Sequence, residues 1–266
     1  MKKYSVFLAV MMAAAAIFFS CKKEFNVVAT ASSPTGMAFL KIVHASPNFT
    51  KVFTKPDGLN VYVGSATADT GWVKVNGPAL TFKSAYPAVG SVNTYASVLP
   101  GDDSIRIVVS GVVNPDSITV IRLRKTLTAG SYYTLLLTDS MNRAQDSAKV
   151  WAPDNFPASS AGNVSLRFVN MVLDAPATDT MNLYSKRRGQ ILFPSVLKDS
   201  ITPFASFPTL VNVLDSFYVQ RQGVTMASLL PTALMRDQMA YTIYYIGDTA
   251  KAVAAKTKTM IYVQNQ

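Results

Sequence analysis

Leu40-Lys41-Ile42-Val43-His44 near the start of the chain, and Leu166-Arg167-Phe168-Val169-Asn170 in its second part, decide the fold. In an extended strand every second side chain lies on the same face, so Leu40, Ile42 and His44 share one face of the first stretch. The second stretch repeats the pattern residue by residue. This correspondence indicates that one structural unit occurs twice in the chain.

Three further matches follow in the same order along the two parts of the chain. They pair Leu59-Asn60-Val61-Tyr62 with Met181-Asn182-Leu183-Tyr184, Ser91 to Val98 with Ser200 to Phe207, and Tyr133-Thr134-Leu135 with Tyr241-Thr242-Ile243. Because the matching stretches lie more than a hundred residues apart, the pattern predicts a duplicated domain and not a short-period solenoid.

Within each copy the apolar residues alternate with a period of two. Ile105 and Ile107 alternate with Ser104 and Arg106, and turn signals such as Pro100-Gly101-Asp102-Asp103 bound the runs. Val, Ile, Thr and Tyr dominate these runs, and no long helical period occurs. The pattern predicts an all-β protein of two tandem antiparallel β-sandwiches. We expect them at residues 37–151 and 164–266, joined by a Pro/Ser/Ala/Gly linker at 152–163.

The opening of the first copy also resembles a known family. Phe39 to Pro47, followed by Leu59-Asn60-Val61-Tyr62-Val63, is similar to the start of the bacterial envelope family of domain of unknown function 4397, with tandem repeats of the Bacteroidetes type. Leu99-Pro100-Gly101 and Leu127 to Thr134 resemble its later signatures, so the resemblance covers roughly residues 37–140. In the second copy Asn170-Met171-Val172 replaces the His-Ala-Ser of the opening. The resemblance implies Ig-like sandwiches of exported proteins and no known catalysis.

The first residues have the pattern of a bacterial lipoprotein signal. Lys2 and Lys3 precede an apolar run from Val6 to Phe19, and Phe18-Phe19-Ser20-Cys21 resembles a lipobox. The apolar run is shorter than the roughly 20 residues of a spanning helix. We therefore expect a signal peptide at 1–20, a lipid on Cys21, and a tether at 21–36. A plain signal peptide and a buried free thiol are the alternatives.

The formal charge of +10 becomes +8 once a signal peptide with its two lysines is removed. The lysines and arginines are scattered, with their densest cluster at Lys186-Arg187-Arg188, which argues against nucleic acid as a partner. Anionic lipid headgroups, acidic glycans and a merely solvated surface remain as interpretations. The sequence predicts export and a lipid anchor in the outer membrane, on a face that the sequence leaves open.

Residues that carry catalysis are scarce. His44 is the only histidine and Cys21 the only cysteine, and no nucleophile elbow or calcium-loop motif occurs. The second copy has Asn170 at the position of His44, and both side chains can hydrogen-bond a backbone group at a strand end. We therefore expect no catalytic residues, no metal site and no cofactor.

Aspartate is unusually often followed by a hydroxyl residue. Of fourteen aspartates, nine precede Ser or Thr, and in seven cases Ala, Ile or Met follows. This resembles the O-glycosylation sequon of Bacteroidetes envelope proteins, whereas turn chemistry at strand ends explains the pattern equally well. The candidate sites are Ser104, Ser117, Ser140, Ser147, Thr180, Ser200 and Thr249.

Aromatic residues are the remaining candidates for binding. Tyr241 to Ile246 is apolar on both faces, which is typical of a strand buried on both sides. The alternative is an aromatic surface for a sugar or a protein, with Trp72, Trp151 and Tyr244 as its candidates.

These observations lead to three hypotheses for the function. The first is a non-enzymatic, membrane-anchored envelope lipoprotein with a binding or assembly role, whose partner is a glycan or an envelope protein. The second is a glycan-binding surface module that serves polysaccharide uptake. The third is an enzyme, which would need a cleft where His44 meets an aspartate.

Overall fold

The structure is a computed structural model, and it describes thirteen segments of the chain. They are residues 36–46, 58–65, 72–76, 79–87, 95–109, 119–138, 149–158, 160–173, 178–210, 213–221, 224–225, 230–248 and 259–265. The predicted signal peptide, Cys21 and almost all of the tether lie outside these ranges. Residues 35–266 form one compact unit.

Nine strands of the N-terminal sandwich lie in the described segments. They are β1 (Ala38–His44), β2 (Leu59–Ser65), β3 (Val73–Lys74), β4 (Ala85–Tyr86), β5 (Ala96–Val98), β6 (Gly101–Val109), β7 (Thr119–Leu127), β8 (Tyr132–Leu137) and β9 (Lys149–Pro153). One sheet has the order β4-β1-β8-β9 with β5 also beside β1, and the other has the order β3-β2-β6-β7.

The C-terminal sandwich repeats this arrangement. Its strands are β10 (Asn163–Leu173), β11 (Thr180–Ser185), β12 (Gln190–Leu197), β13 (Ser200–Ile201), β14 (Ala205–Pro208), β15 (Asp215–Arg221), β16 (Val224–Thr225), β17 (Leu230–Ala233), β18 (Ala240–Asp248) and β19 (Thr259–Gln264). The order β13-β10-β18-β19 with β14 beside β10 matches the first sheet of the N-terminal sandwich, and the order β12-β11-β15-β16 matches the other sheet except that β17 also lies beside β15. The predicted all-β fold of two tandem sandwiches is therefore confirmed.

Two parallel strand pairs interrupt an otherwise antiparallel pattern. β1 runs parallel to β8, and β10 runs parallel to β18. All seven residues of β1 are buried, as parallel strands covered on both faces usually are. These parallel pairs correct the purely antiparallel pairing predicted from the sequence, because periodicity reveals which face a residue occupies and not the direction of the neighbouring strand.

The burial of β1 and β10 follows from how the two sandwiches meet. The sheet containing β1 and the sheet containing β10, here called the inner sheets, each pack one face on the outer sheet of their own sandwich. Their other faces share a third apolar core, to which Val43, Ala45, Ala85 and Leu136 contribute from one side and Val169, Met171, Tyr244, Ile246 and Val263 from the other. The body thus has four sheets in layers, with the two inner sheets facing each other.

No helix occurs in the thirteen described segments, so none of them offers a helix long and apolar enough for a membrane crossing.

Candidate binding surface and buried interface

Trp72, one of the predicted binding aromatics, lies on the solvent side of the outer sheet of the N-terminal sandwich. It directly precedes β3, and its side chain is half-buried. The guanidinium carbon of Arg106 lies 5.7 Å from the centre of its ring, and that of Arg122 lies 6.0 Å away. Both distances fall within the range of cation–π attraction.

The strand register builds a basic row beneath this ring. Lys74 of β3 pairs with Tyr62 of β2, Tyr62 pairs with Arg106 of β6, and Arg106 pairs with Arg122 of β7. Arg124 lies on the same face, two residues further along β7, and is exposed. We call these residues, Tyr62, Trp72, Lys74, Arg106, Arg122 and Arg124, the Trp72 face.

The Trp72 face concentrates positive charge on one side of the outer sheet. Arg106 and Arg122 stand directly opposite each other on neighbouring strands, and like charges in that position are destabilising. Asp102 lies at the edge of the same face, where it accepts a hydrogen bond of 2.6 Å from the Thr126 hydroxyl. Flat aromatic area beside fixed guanidinium groups suits a ligand that has both an apolar ring face and negative charge.

The other two predicted binding aromatics, Trp151 and Tyr244, pack against apolar cores of the protein. Trp151 stacks on Tyr133 with 5.1 Å between ring centres and packs against the core of the N-terminal sandwich. Tyr244 has no exposed surface and belongs to the core between the inner sheets. Burial on both faces, the first of the two interpretations of this strand, therefore describes Tyr244.

The predicted glycosylation sites fall in different surroundings. Ser104 is fully buried in β6, so a glycan could reach its hydroxyl only before folding. Thr180 and Ser200 are half-buried at the starts of β11 and β13. Ser117, Ser140, Ser147 and Thr249 lie outside the described residues.

His44 is fully buried, and its ring packs edge-on against Phe82 with 6.3 Å between ring centres. A substrate therefore has no access to the imidazole. At the matching position, the Asn170 amide donates a buried hydrogen bond of 3.0 Å to the Val196 carbonyl oxygen. Across the described segments, no three His, Cys, Asp or Glu side chains form a group that could hold a metal ion.

A polar cluster that was not predicted from the sequence lies buried between the two sandwiches and is here called the interface network. Its centre is an ion pair in which Arg167 Nη1 lies 2.5 Å from Asp154 Oδ1, with both side chains almost fully buried. The other Asp154 oxygen accepts hydrogen bonds from the hydroxyls of Tyr95 at 2.6 Å and Thr134 at 2.5 Å. Asp154 belongs to the segment predicted as a linker, so this connection also contributes to the interface.

Residues of the C-terminal sandwich complete the network. Arg167 Nε donates to the Thr242 hydroxyl at 2.8 Å, and that hydroxyl donates to Asn265 Oδ1 at 2.7 Å. Asn265 in turn donates to the Tyr95 hydroxyl at 2.8 Å. Buried polar groups with complete partners favour one arrangement of two surfaces over others.

Lys41 lies at the edge of the same network. Its ammonium group donates to the Gln264 carbonyl oxygen at 2.5 Å and lies 4.4 Å from the centre of the Tyr95 ring. Burial lowers the pKa of Lys41 to about 7, because desolvation and the positive charge of Arg167 outweigh the attraction of Asp154. Burial and nearby Asp154 raise the pKa of Tyr95 well above its usual value of 10.

A comparison with protein families gives a match that includes most of the N-terminal sandwich. Residues 57–181 match the family Domain of unknown function (DUF4397). This confirms the resemblance predicted from the sequence, although the matched range begins and ends later than the predicted one. The DUF4397 match contains every residue of the Trp72 face and the Asp154–Arg167 ion pair.

Solved structures give weak matches beyond the DUF4397 segment. The chain is 10% identical to the Bacillus anthracis TIE protein, with a TM-score of 0.22 over 80% of this chain and 34% of that one. It thus spans about a third of that protein's length. A Bacteroides thetaiotaomicron protein provisionally named as polysaccharide-binding matches with 10% identity and a TM-score of 0.21, over 86% of this chain and 96% of its own.

A Bacteroides ovatus protein provisionally named an adhesin matches at 8% identity and a TM-score of 0.21, over 85% of this chain and 95% of its own. At these TM-scores the solved structures carry no argument about this chain. Among curated proteins none matches it.

Proposed function

We propose that this protein is a non-enzymatic lipoprotein of the cell envelope that binds an acidic polysaccharide through the Trp72 face. The observation that carries the proposal is that the Trp72 ring centre lies 5.7 Å from the Arg106 guanidinium carbon and 6.0 Å from that of Arg122. Trp72 would stack on the apolar face of a sugar ring, while the two guanidinium groups would pair with its carboxylates or sulfates.

The rigid support of this surface favours binding. Trp72 directly precedes β3, and the other side chains of the Trp72 face stand on four paired strands. The opposite side of that sheet is packed into the core of the N-terminal sandwich. A flat, preformed surface loses little conformational entropy when a polymer lies along it. The predicted lipid on Cys21 would hold this surface at the membrane, on the periplasmic or the external side.

The first test measures binding of polygalacturonate, an acidic polysaccharide, with dextran as the neutral comparison. We expect Trp72→Ala to weaken polygalacturonate binding about tenfold, since cation–π attraction and stacking contribute roughly 1–2 kcal/mol and 1.4 kcal/mol corresponds to a factor of ten. Isothermal titration calorimetry at low and at physiological salt measures the affinity. Binding should weaken with salt, because Arg106 and Arg122 are only half-buried and salt screens their attraction for anions.

The matched controls come from the C-terminal sandwich. Tyr218→Ala removes a half-buried aromatic ring on the outer sheet there, and Arg236→Gln removes an exposed arginine. Neither variant should change the affinity for polygalacturonate. Equal loss in Trp72→Ala and Tyr218→Ala, or equal binding of dextran and polygalacturonate, would contradict the proposed site.

The second test addresses the anchor. In a bacterial expression host, the wild-type chain should appear in the membrane fraction with its N-terminus at Cys21 and a mass increased by its acyl chains. The Cys21→Ser variant should lose both the added mass and the membrane association, since three acyl chains anchor a protein firmly and none remains in the variant. Intact-mass spectrometry measures both forms and also any mass added by glycans. A Cys21→Ser protein that still sediments with membranes would contradict lipid anchoring.

A further inference from the structure

The two sandwiches can be compared position by position, because their strand registers agree. Leu40 stands beside Ala96 on one side and Tyr133 on the other, and Leu166 stands in the same way beside Ala205 and Tyr241. The tyrosine hydroxyls also agree. Tyr133 accepts from the backbone amide of Thr128, and Tyr241 accepts from that of Arg236, each at 3.1 Å and each five residues upstream. Side chains at equivalent positions of the two sandwiches can therefore be compared directly.

In the C-terminal sandwich, aromatic side chains fill the space between the edges of the two sheets. Phe193 of β12 and Phe207 of β14 pack with 5.7 Å between ring centres, and both lie at or near the core. The guanidinium carbon of Arg188, from the turn before β12, lies 6.0 Å from the centre of the Phe207 ring. This edge of the sandwich is closed by the chain itself.

The carboxylate of Asp215, at the same edge, has hydrogen-bond partners and a positively charged partner. Asp215 at the start of β15 is 2% exposed and accepts hydrogen bonds from the Ser185 hydroxyl at 2.5 Å and the Arg187 backbone amide at 3.0 Å. Arg188 Nε lies 3.8 Å from it, so the turn supplies its positive partner.

In the N-terminal sandwich the corresponding side chains are smaller. Val98 pairs with Ala38 in the same way as Phe207 pairs with Val164, so Val98 occupies the position of Phe207. The Val75 amide donates to the Val61 carbonyl oxygen, and in the other copy Phe193 pairs with the residue equivalent to Val61. Val75 therefore occupies the position of Phe193. The missing ring volume leaves an open apolar groove of about 740 Å³. Val73 and Leu99, which are 64% and 72% exposed, line it together with Val75 and Val98.

The equivalent carboxylate of the N-terminal sandwich, Asp103, lacks the partners that Asp215 has. Asp103 occupies the position of Asp215 and lines the apolar groove, on the same face of β6 as buried Ile105. Its Oδ2 atom is buried without a hydrogen-bond partner, and burial together with neighbouring Asp102 raises its pKa. The register places Lys125 opposite Asp103, yet its ammonium group lies 5.9 Å from the centre of the Trp151 ring.

We propose that the apolar groove binds a segment of a partner protein that presents an arginine next to aliphatic or aromatic side chains. The apolar residues would fill the space that Phe193 and Phe207 fill in the C-terminal sandwich, and the arginine would pair with Asp103 as Arg188 pairs with Asp215. Among the described residues that line the groove, Asp102 and Asp103 are the only charged ones, so the groove complements a basic segment in an otherwise basic protein.

The chain itself supplies a probe for this site. A synthetic peptide of residues 186–193, Lys-Arg-Arg-Gly-Gln-Ile-Leu-Phe, contains both the arginine and the phenylalanine that close the C-terminal edge. We expect it to bind the full mature chain, measured by fluorescence anisotropy, and to bind more weakly when both its arginines are replaced by glutamine. Because a desolvated charged pair is strong, that replacement should reduce the affinity about tenfold or more.

Three variants test the protein side. Asp103→Asn should weaken peptide binding about tenfold, and the double variant Val75→Phe/Val98→Phe should abolish it by filling the groove. Leu99→Ser changes an exposed side chain and should weaken binding without loss of the fold, which keeps the test valid if the double variant does not fold. Asp237→Asn, an exposed carboxylate of the C-terminal sandwich, is the matched control and should bind as the wild type does.

Peptide binding that is absent, or unchanged in Asp103→Asn and Leu99→Ser, would overturn the proposal. Equal affinity for the arginine and glutamine peptides would show a purely apolar groove and would overturn the role of Asp103. Trp72→Ala should leave peptide binding unchanged, which separates this site from the proposed polysaccharide surface.

Discussion

The Asp154→Ala variant should lose about 3–5 kcal/mol of its free energy of unfolding. Its physical reason is the guanidinium group of Arg167, which would remain buried between the sandwiches without the carboxylate that lies 2.5 Å from it. The hydroxyls of Tyr95 and Thr134 would also lose their common acceptor. Urea denaturation followed by circular dichroism measures the change.

Two further variants separate the effect of charge from that of the fold. The double variant Asp154→Leu/Arg167→Met removes both charges and should recover much of the lost stability, because an apolar replacement of a buried ion pair is often neutral or better. Asp237→Ala removes an exposed carboxylate that accepts a hydrogen bond from the Thr209 hydroxyl, and it should change the free energy of unfolding by about 1 kcal/mol or less. An Asp154→Ala protein as stable as the Asp237→Ala protein would contradict the structural role of the interface network.

Stability should rise as the pH increases from about 7 to about 10, and Lys41 should be a cause of this rise. The pKa of Lys41 is about 7 in the folded protein, whereas its ordinary value of 10.5 applies to the unfolded chain. Between pH 7 and pH 10.5 the unfolded chain therefore binds more protons than the folded one. Each pH unit of that interval then adds up to about 1.4 kcal/mol to the free energy of unfolding. Below pH 7 both states carry the charge, and the cost of burying it is fully present.

The Lys41→Met variant should lose this pH dependence and should be more stable than the wild type at pH 6. Asp154 would keep Arg167 as its partner, so no carboxylate would be left unpaired. Lys74→Met, which removes an exposed lysine of the Trp72 face, is the control and should keep the wild-type profile. Denaturation midpoints between pH 6 and pH 10 measure the effect, and parallel profiles for wild type and Lys41→Met would contradict it. The raised pKa values of Tyr95 and Tyr244 keep these hydroxyls protonated over the same interval.

The two buried cations, Arg167 and Lys41, differ in how their burial cost responds to pH. Asp154→Ala leaves a buried arginine that cannot lose its proton, so its cost should persist at every pH in this range. Lys41 can become neutral, so the cost of its burial should disappear at high pH.

Local pattern was enough to predict the class of fold and the repeat. The alternation in Leu40, Ile42 and His44, and its copy in Leu166, Phe168 and Asn170, depend on the period of a strand, which is a property of a few consecutive residues. The sequence was enough to name Trp72 as a candidate for binding, because it is aromatic. Its neighbours Arg106 and Arg122 could not be named, because their approach depends on strand register across three strands.

The pairing of the two sandwiches was beyond sequence reasoning for a related reason. Lys41 and Arg167 occupy corresponding positions in the two copies and read as ordinary solvent-facing residues of alternating strands. They are 0% and 2% exposed, because each inner sheet is covered on both faces. A strand that is buried on both faces shows its second partner only when the tertiary structure brings that partner to it.

By itself, the amino-acid sequence determined the strands, the duplication and the order of the elements, because these follow from side-chain period and turn chemistry within short segments. Only the tertiary structure decided which charges are buried, which carboxylate of an equivalent pair lacks a partner, and which aromatic residue faces solvent. These properties depend on distances between residues far apart in the chain, such as Asp103 and Lys125 or Lys41 and Gln264, and those distances are set by packing.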